Sequence, residues 1–228
     1  MHYTLRTNQS LETFFRSFAR PCGAVAFAAA LAAAPAVAQD LERPEGWMTR
    51  FDNADATEEQ LEMFVGMPPG WHVTSGPAGI YYAPDESASG DFRAEMEVYL
   101  FDPGQRREAF GIFLGGSDLQ GGGQQYSYFL IRNGGQYIVK RREGADAPTV
   151  EPWTAHDAIL SYADRGEEAS IKNVLAVEAR GATVHLFVNG EEVSTVPRSD
   201  FGVDGTYGFR VNHGLNLHIS RLEVTPLS

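Results

Sequence analysis

Beyond residue 45, hydrophobic and polar residues alternate with a period of two through most of the chain, and Gly, Pro, Asn and Asp interrupt the alternation at short intervals. This is the pattern of half-buried β-strands joined by turns. It predicts strands at 47–51, 71–74, 78–82, 91–101, 108–114, 125–132, 136–142, 173–180, 183–189, 192–196, 206–212 and 215–224. No ten-residue helical repeat falls between them. Thr57-Glu58-Glu59-Gln60 ahead of Leu61, Phe64 and Val65 has the form of a capping box opening a short helix, with an irregular loop as the alternative. Residues 143–172 read as a surface excursion that carries Trp153.

Two hairpins are written locally. Thr183–Val188 runs into Asn189-Gly190, a pair that adopts positive φ at little cost, and on to Val193 and Val196. Residues 126–132 and 136–141 flank Asn133-Gly134-Gly135. A two-residue turn at Asn133-Gly134 or at Gly134-Gly135 sorts the side chains identically. Tyr126, Tyr128, Leu130 and Arg132 then share a face with Tyr137, Val139 and Arg141, opposite Phe129, Ile131 and Ile138. Aromatic faces flanked by hydrogen-bonding groups suit the apolar faces and hydroxyl rims of sugars, so the Tyr and Arg set is a candidate ligand surface. The alternative is that it merely covers the outside of the fold.

In strand 91–101, Phe92, Ala94, Met96, Val98 and Leu100 alternate with Arg93, Glu95, Glu97, Tyr99 and Phe101. The first set is the core face. The second places Glu95 and Glu97 on one outer face, about 6 to 7 Å apart at Cα. Glycoside hydrolysis uses such a carboxyl pair as acid and as base or nucleophile, which makes these two the catalytic candidates. Ion pairing to arginine is the bland alternative. A dozen antiparallel strands with no crossover helices call for two packed sheets, an all-β antiparallel jelly-roll sandwich.

Composition agrees with a foldable chain: of 228 residues, 43% are hydrophobic and 21% charged. The formal charge of −12 argues against a nucleic-acid partner, because polyphosphate binding relies on clustered cations. Residues 1–38 combine Arg6, Arg16 and Arg20 with a short Ala-rich apolar run and Ala36-Val37-Ala38, the form of a signal peptide cleaved after Ala38. The apolar run is too short to span a bilayer, so the expectation is a periplasmic or secreted protein with no membrane span once the leader is removed. Cys22, the single cysteine, lies in that leader, which removes thiol nucleophiles and cysteine zinc sites from residues 39–228, expected to form one domain.

The C-terminal third resembles a known pattern. Asn173-Val174-Leu175-Ala176-Val177-Glu178, Val184–Val188, Asn189-Gly190, Gly205-Thr206-Tyr207-Gly208-Phe209-Arg210 and Arg221-Leu222-Glu223-Val224 look like the concanavalin A-like lectin and glucanase superfamily. In particular they resemble laminin G-like modules and bacterial 3-keto-disaccharide hydrolase-type domains. The resemblance covers residues 45–228 and implies a jelly roll with carbohydrate binding or glycoside cleavage.

Arg210, Asn212 and His213, with Asn216 and His218, cluster where two strands meet and complete the ligand-binding candidates. No third metal ligand is implied by the two histidines, and their metal role stays undefined. Asp52, Asn53, Asp55 and Glu58 supply oxygen in close sequence, as calcium prefers, without the Asp-x-Asp-x-Asp-Gly loop. Three readings follow. The first is an exported noncatalytic module binding a glycan or cell-envelope component. The second is a glycosidic-bond hydrolase using Glu95 and Glu97, and the third a structural envelope protein without ligand.

Overall fold

Period-two alternation needs a partner surface for its apolar side, and in this chain two sheets supply it to each other. The computed structural model describes residues 41–228. The expected leader, its cleavage after Ala38 and Cys22 lie outside the described residues. The strands are β1 (Met48–Phe51), β2 (Met63–Gly66), β3 (Trp71–Thr74), β4 (Gly79–Ala88), β5 (Phe92–Phe101), β6 (Ala109–Ser117) and β7 (Gln125–Arg132). They continue as β8 (Gln136–Glu143), β9 (Thr149–Ala155), β10 (Ser170–Arg180), β11 (Thr183–Val188), β12 (Glu191–Pro197), β13 (Gly205–Val211) and β14 (Asn216–Pro226). The first sheet runs β1-β4-β13-β6-β7-β8-β9 and the second β12-β11-β10-β5-β14-β3-β2, with antiparallel pairing throughout. The fold is the jelly-roll sandwich expected from the sequence.

The alternation of β5 survives intact: Phe92, Ala94, Met96, Val98 and Leu100 are buried and the intervening residues are half-exposed. From the first sheet, Tyr81, Phe110, Ile112, Phe129, Val139 and Phe209 meet them in one continuous core. Full burial of each large side chain contributes about 1.5 to 3 kcal/mol. The β11–β12 hairpin closes on Asn189 and Gly190, both at positive φ, as the Asn-Gly pair predicts.

Two strands escaped the sequence pattern, both at sheet edges. The Thr57 capping pattern closes one 3₁₀ turn, Glu58–Gln60, in which the Thr57 N–H donates to Gln60 Oε1 at 3.0 Å. The expected helix does not follow; Phe64 enters β2 and pairs with Val73. The expected excursion at 143–172 contains β9, whose short and twice-interrupted pairing with β8 leaves little periodic signal.

The β7–β8 loop carries the main correction. Arg132 pairs with Gln136, so Asn133-Gly134-Gly135 is a three-residue connection with Gly134 at φ 102° and Gly135 at φ 72°. One extra loop residue reverses the parity of β8 relative to the two-residue expectation. Tyr137, Val139 and Arg141 therefore share the inward side with Phe129 and Ile131, while Ile138 joins Tyr128 and Leu130 on the other.

Candidate functional site

The face of the first sheet that points away from the core is itself rich in aromatic and basic groups. Cross-strand partners lie on the same side of an antiparallel sheet. One row runs from Tyr82 over Gly208 and Phe113 to Tyr128 and Lys140, and another from Arg50 through Ile80, Arg210 and Gly111 to Leu130 and Ile138. Tyr126 pairs with Arg142 and Arg132 with Gln136. Ile80, Tyr82, Phe113, Tyr126, Tyr128 and Leu130 form a second apolar cluster here, against which Trp153 of β9 packs.

Arg210 is the centre of this face. Its side chain is 7% exposed, yet it is doubly bonded to Asp52 just beyond β1: Nη1 donates to Oδ1 at 2.9 Å and Nη2 to Oδ2. Nη1 also donates to the Tyr126 hydroxyl at 3.1 Å, and the guanidinium carbon lies 5.0 Å from the centre of the Tyr128 ring. The buried Nε has no partner among the described residues. Burial alone pushes the Asp52 carboxyl up, but the hydrogen bonds and charge of Arg210 outweigh it and hold the carboxyl below its ordinary range. Burial likewise works against the Arg210 charge, and Asp52 and the two tyrosines reverse the balance and raise its pKa. Burial raises the Tyr126 and Tyr128 hydroxyls, so both stay protonated donors at neutral pH.

Around this centre, Gln120 Nε2 donates to the Tyr82 hydroxyl at 2.7 Å and Arg50 Nη1 donates to the Gln120 carbonyl at 2.8 Å. Arg132 donates from Nε to Gln136 Oε1 at 3.0 Å and stacks on Trp153, 3.9 Å from the ring centre. A guanidinium within cation–π distance of an indole and tied to Gln136 is held in place, and its remaining donors can hydrogen-bond hydroxyl or carboxylate oxygens.

The structure places Tyr126, Tyr128 and Arg132 on one face as the sequence predicts, adds Arg210, which the sequence grouped with Asn212 and His213, and separates Tyr137 and Arg141 from them. The Tyr137 hydroxyl donates to the Val193 carbonyl at 3.2 Å on the core side, and Arg141 pairs with Glu143 at 3.0 Å. Asn212 and His213 sit past the end of β13. The Asn212 backbone bonds Ala109 and Ser75, and His213 is exposed with Nδ1 3.7 Å from Glu108. His218 belongs to the outer face of the second sheet, against His72 and Tyr99.

Asp52 and Glu58 of the calcium candidates are engaged by Arg210 and Arg43, and Asn53 Oδ1 accepts from the Asp55 N–H at 3.0 Å. No group of three His, Cys, Asp or Glu is placed to hold a metal ion among the described residues. No described helix is long and apolar enough to cross a membrane.

Glu95 and Glu97 share the outer face of β5 as expected. Glu95 accepts from Arg93 at 2.7 Å and from Arg221 at 2.5 Å. Glu97 accepts from Ser220 at 2.8 Å, Tyr99 at 3.1 Å and Lys172 at 3.4 Å, at the rim of an open depression of about 440 Å³ bordered by His72, Phe101 and His218. The Ser220 hydrogen bond above all holds the Glu97 carboxyl down, the direction opposite to that needed in a general acid.

Sequence reasoning missed Asp52 as the partner of Arg210, and missed Tyr82, Gln120, Lys140, Arg142 and Trp153. Given the true loop length, the β8 alternation would have found Lys140 and Arg142. The separation of 158 residues between Asp52 and Arg210 leaves no local signal.

No family model matches the sequence, and no curated protein matches it significantly. Solved structures do match in fold. The carbohydrate binding module CBM66 from Bacillus subtilis is 16% identical with a TM-score of 0.56, over 78% of this chain and 94% of its own. A GH16 protein of the mixed linkage glucan locus of Bacteroides ovatus, solved with a product, is 8% identical with a TM-score of 0.57, over 82% and 97%. A Bacillus licheniformis beta-glucanase is 10% identical with a TM-score of 0.54, over 82% and 95%. The chain therefore has the concanavalin A-like jelly-roll fold that its C-terminal strands resemble.

Proposed function

We propose that this protein is an exported, noncatalytic glycan-binding module that seats sugar on the outward face of its first sheet. The observation that carries the reading is the half-exposed pair of Trp153 and Arg132 on that face, seated on a buried layer of Tyr82, Tyr126, Tyr128 and Arg210 that holds them in place. Aromatic rings and fixed donors are what sugar rings require. The sugar-handling proteins among its fold neighbours support the same reading, as the leader-like N-terminus supports a periplasmic or secreted location. Hydrolysis at Glu95 and Glu97 has less support, because both carboxylates are occupied by arginine, serine, tyrosine or lysine donors. A cell-envelope polysaccharide is a partner within reach of such a module.

A glycan array tests the proposal. Binding to at least one glycan is expected, with a loss of about tenfold or more in Trp153→Ala and Arg132→Ala, each worth about 1.4 kcal/mol or more. Tyr137→Phe should leave that binding unchanged, because its hydroxyl faces the core. Absence of binding to every glycan, or binding indifferent to Trp153 and Arg132, overturns the reading.

A further inference from the structure

Charge on the two outer faces is distributed in opposite ways. On the second sheet, each cation has an acid: Arg93 with Glu95 and Glu178, Lys172 with Glu97, Arg180 with Glu178, and Arg221 with Glu95. On the outward face of the first sheet and at its rim, Arg50, Arg107, Arg132, Lys140 and Arg142 have no carboxylate within ion-pairing distance among the described residues. Arg107 lies close enough to Arg132 to disfavour its charge further. Asp52, close to Arg142, is already neutralised by Arg210, and Glu143 is engaged by Arg141. Leaving five unneutralised together creates a positive field in a negative protein, a cost that a bound anion would offset.

The same residues have a regular layout. Lys140 and Arg142 are two apart on one strand, about 6 to 7 Å, and stand directly across from Tyr128 and Tyr126. Arg132 on Trp153 repeats the pairing of ring and cation further along the sheet. The Tyr126 and Tyr128 rings are buried, so the face presents a row of half-exposed cations with one partly exposed ring, Trp153, an arrangement that matches a sugar polymer carrying a carboxylate on each unit. A neutral glycan would use Trp153 and leave the cations uncompensated. We infer that the ligand of this face is an anionic glycan of the polyuronate class, with Lys140, Arg142 and Arg132 pairing its carboxylates; the inference rests on the glycan reading above.

Calorimetric titration of the full chain with polygalacturonate, alginate and hyaluronate, with the carboxyl-reduced form of each, and with neutral β-glucan decides it. At least one polyuronate should bind about tenfold or more tightly than its carboxyl-reduced form, with an affinity that falls as salt rises. Lys140→Gln combined with Arg142→Gln should abolish that margin. Both side chains are half-exposed and without a carboxylate partner among the described residues, and the variant loses one hydrogen bond, from Arg142 Nε to the Gly144 carbonyl at 2.8 Å, so the melting temperature should fall only slightly, and the comparison of intact with reduced polymer in the unaltered protein stands whether or not the variant folds. Equal affinity for intact and reduced polymers, or binding of neutral glycans alone, overturns the anionic ligand and leaves the glycan reading standing. Failure of every polysaccharide overturns both. Poly-glutamate bound as tightly as any polyuronate would identify an acidic polypeptide as occupant and also overturn the inference.

Discussion

Arg210 shows how one residue can be legible while its role is not. The strand carrying it is plain from the alternation around Tyr207 and Phe209, but the carboxylate that stabilises its charge comes from the other end of the chain. Removing one partner of a buried pair leaves the other charge uncompensated, so Asp52→Asn should cost about 3 to 5 kcal/mol at neutral pH. The pH dependence has a definite sign. The folded carboxyl titrates below its ordinary value of 3.8, so the stabilisation is full above that value and disappears as pH falls through the folded pKa. Melting temperatures of the native protein and Asp52→Asn, taken from pH 7 downward, should differ above 3.8 and converge as pH falls through the lowered pKa of the folded carboxyl. A gap that persists unchanged at the lowest pH would mean that the pair does not carry the difference.

Elements were readable in proportion to their length and their place in the sheet. Central β5 and β10 are long and have neighbours on both sides, so their apolar faces are dictated and the alternation is clean. Edge strands β2 and β9, the one short and the other irregularly paired, left no comparable pattern, whereas the edge strands β1 and β12 were still legible beside their turns. In the β7–β8 hairpin the strands were found and their relative register was not, because Asn133-Gly134-Gly135 can house loops of different length and the parity of every following side chain depends on that choice. The reading of β5 is open to a direct test on adjacent positions. Val98 is fully buried, so Val98→Asp places an unpartnered charge in the core at a cost of several kcal/mol, out of a total of about 5 to 15. Glu97→Ala on the outer face loses partly exposed hydrogen bonds and should change stability by about 1 kcal/mol or less. Thermal melts by circular dichroism should show the first variant unfolded and the second close to native; the opposite order would reverse the assigned faces.

At the scale of the molecule, the question is whether the candidate site is a separate layer or part of one cooperative unit. The core joins both sheets, and the aromatic cluster lies on the far side of the first sheet from it. The two are nevertheless built on the same strands: β7 and β8 send Phe129, Tyr137 and Val139 into the core and Tyr126, Tyr128 and Ile138 into the cluster. A strand cannot lose one face and keep the other, so both should melt together. Tryptophan positions make this measurable. Trp47 and Trp71 lie 4.6 Å apart beside Phe209 at the core, while Trp153 is on the cluster side. In a Trp47→Phe, Trp71→Phe variant, fluorescence reports on Trp153 alone. Its melting curve should superimpose on the far-ultraviolet circular dichroism curve of the same variant. A Trp153 transition completed several degrees before the loss of strand signal would show that β9 and the aromatic face open independently, and the ligand surface would then be a mobile flap instead of a rigid floor.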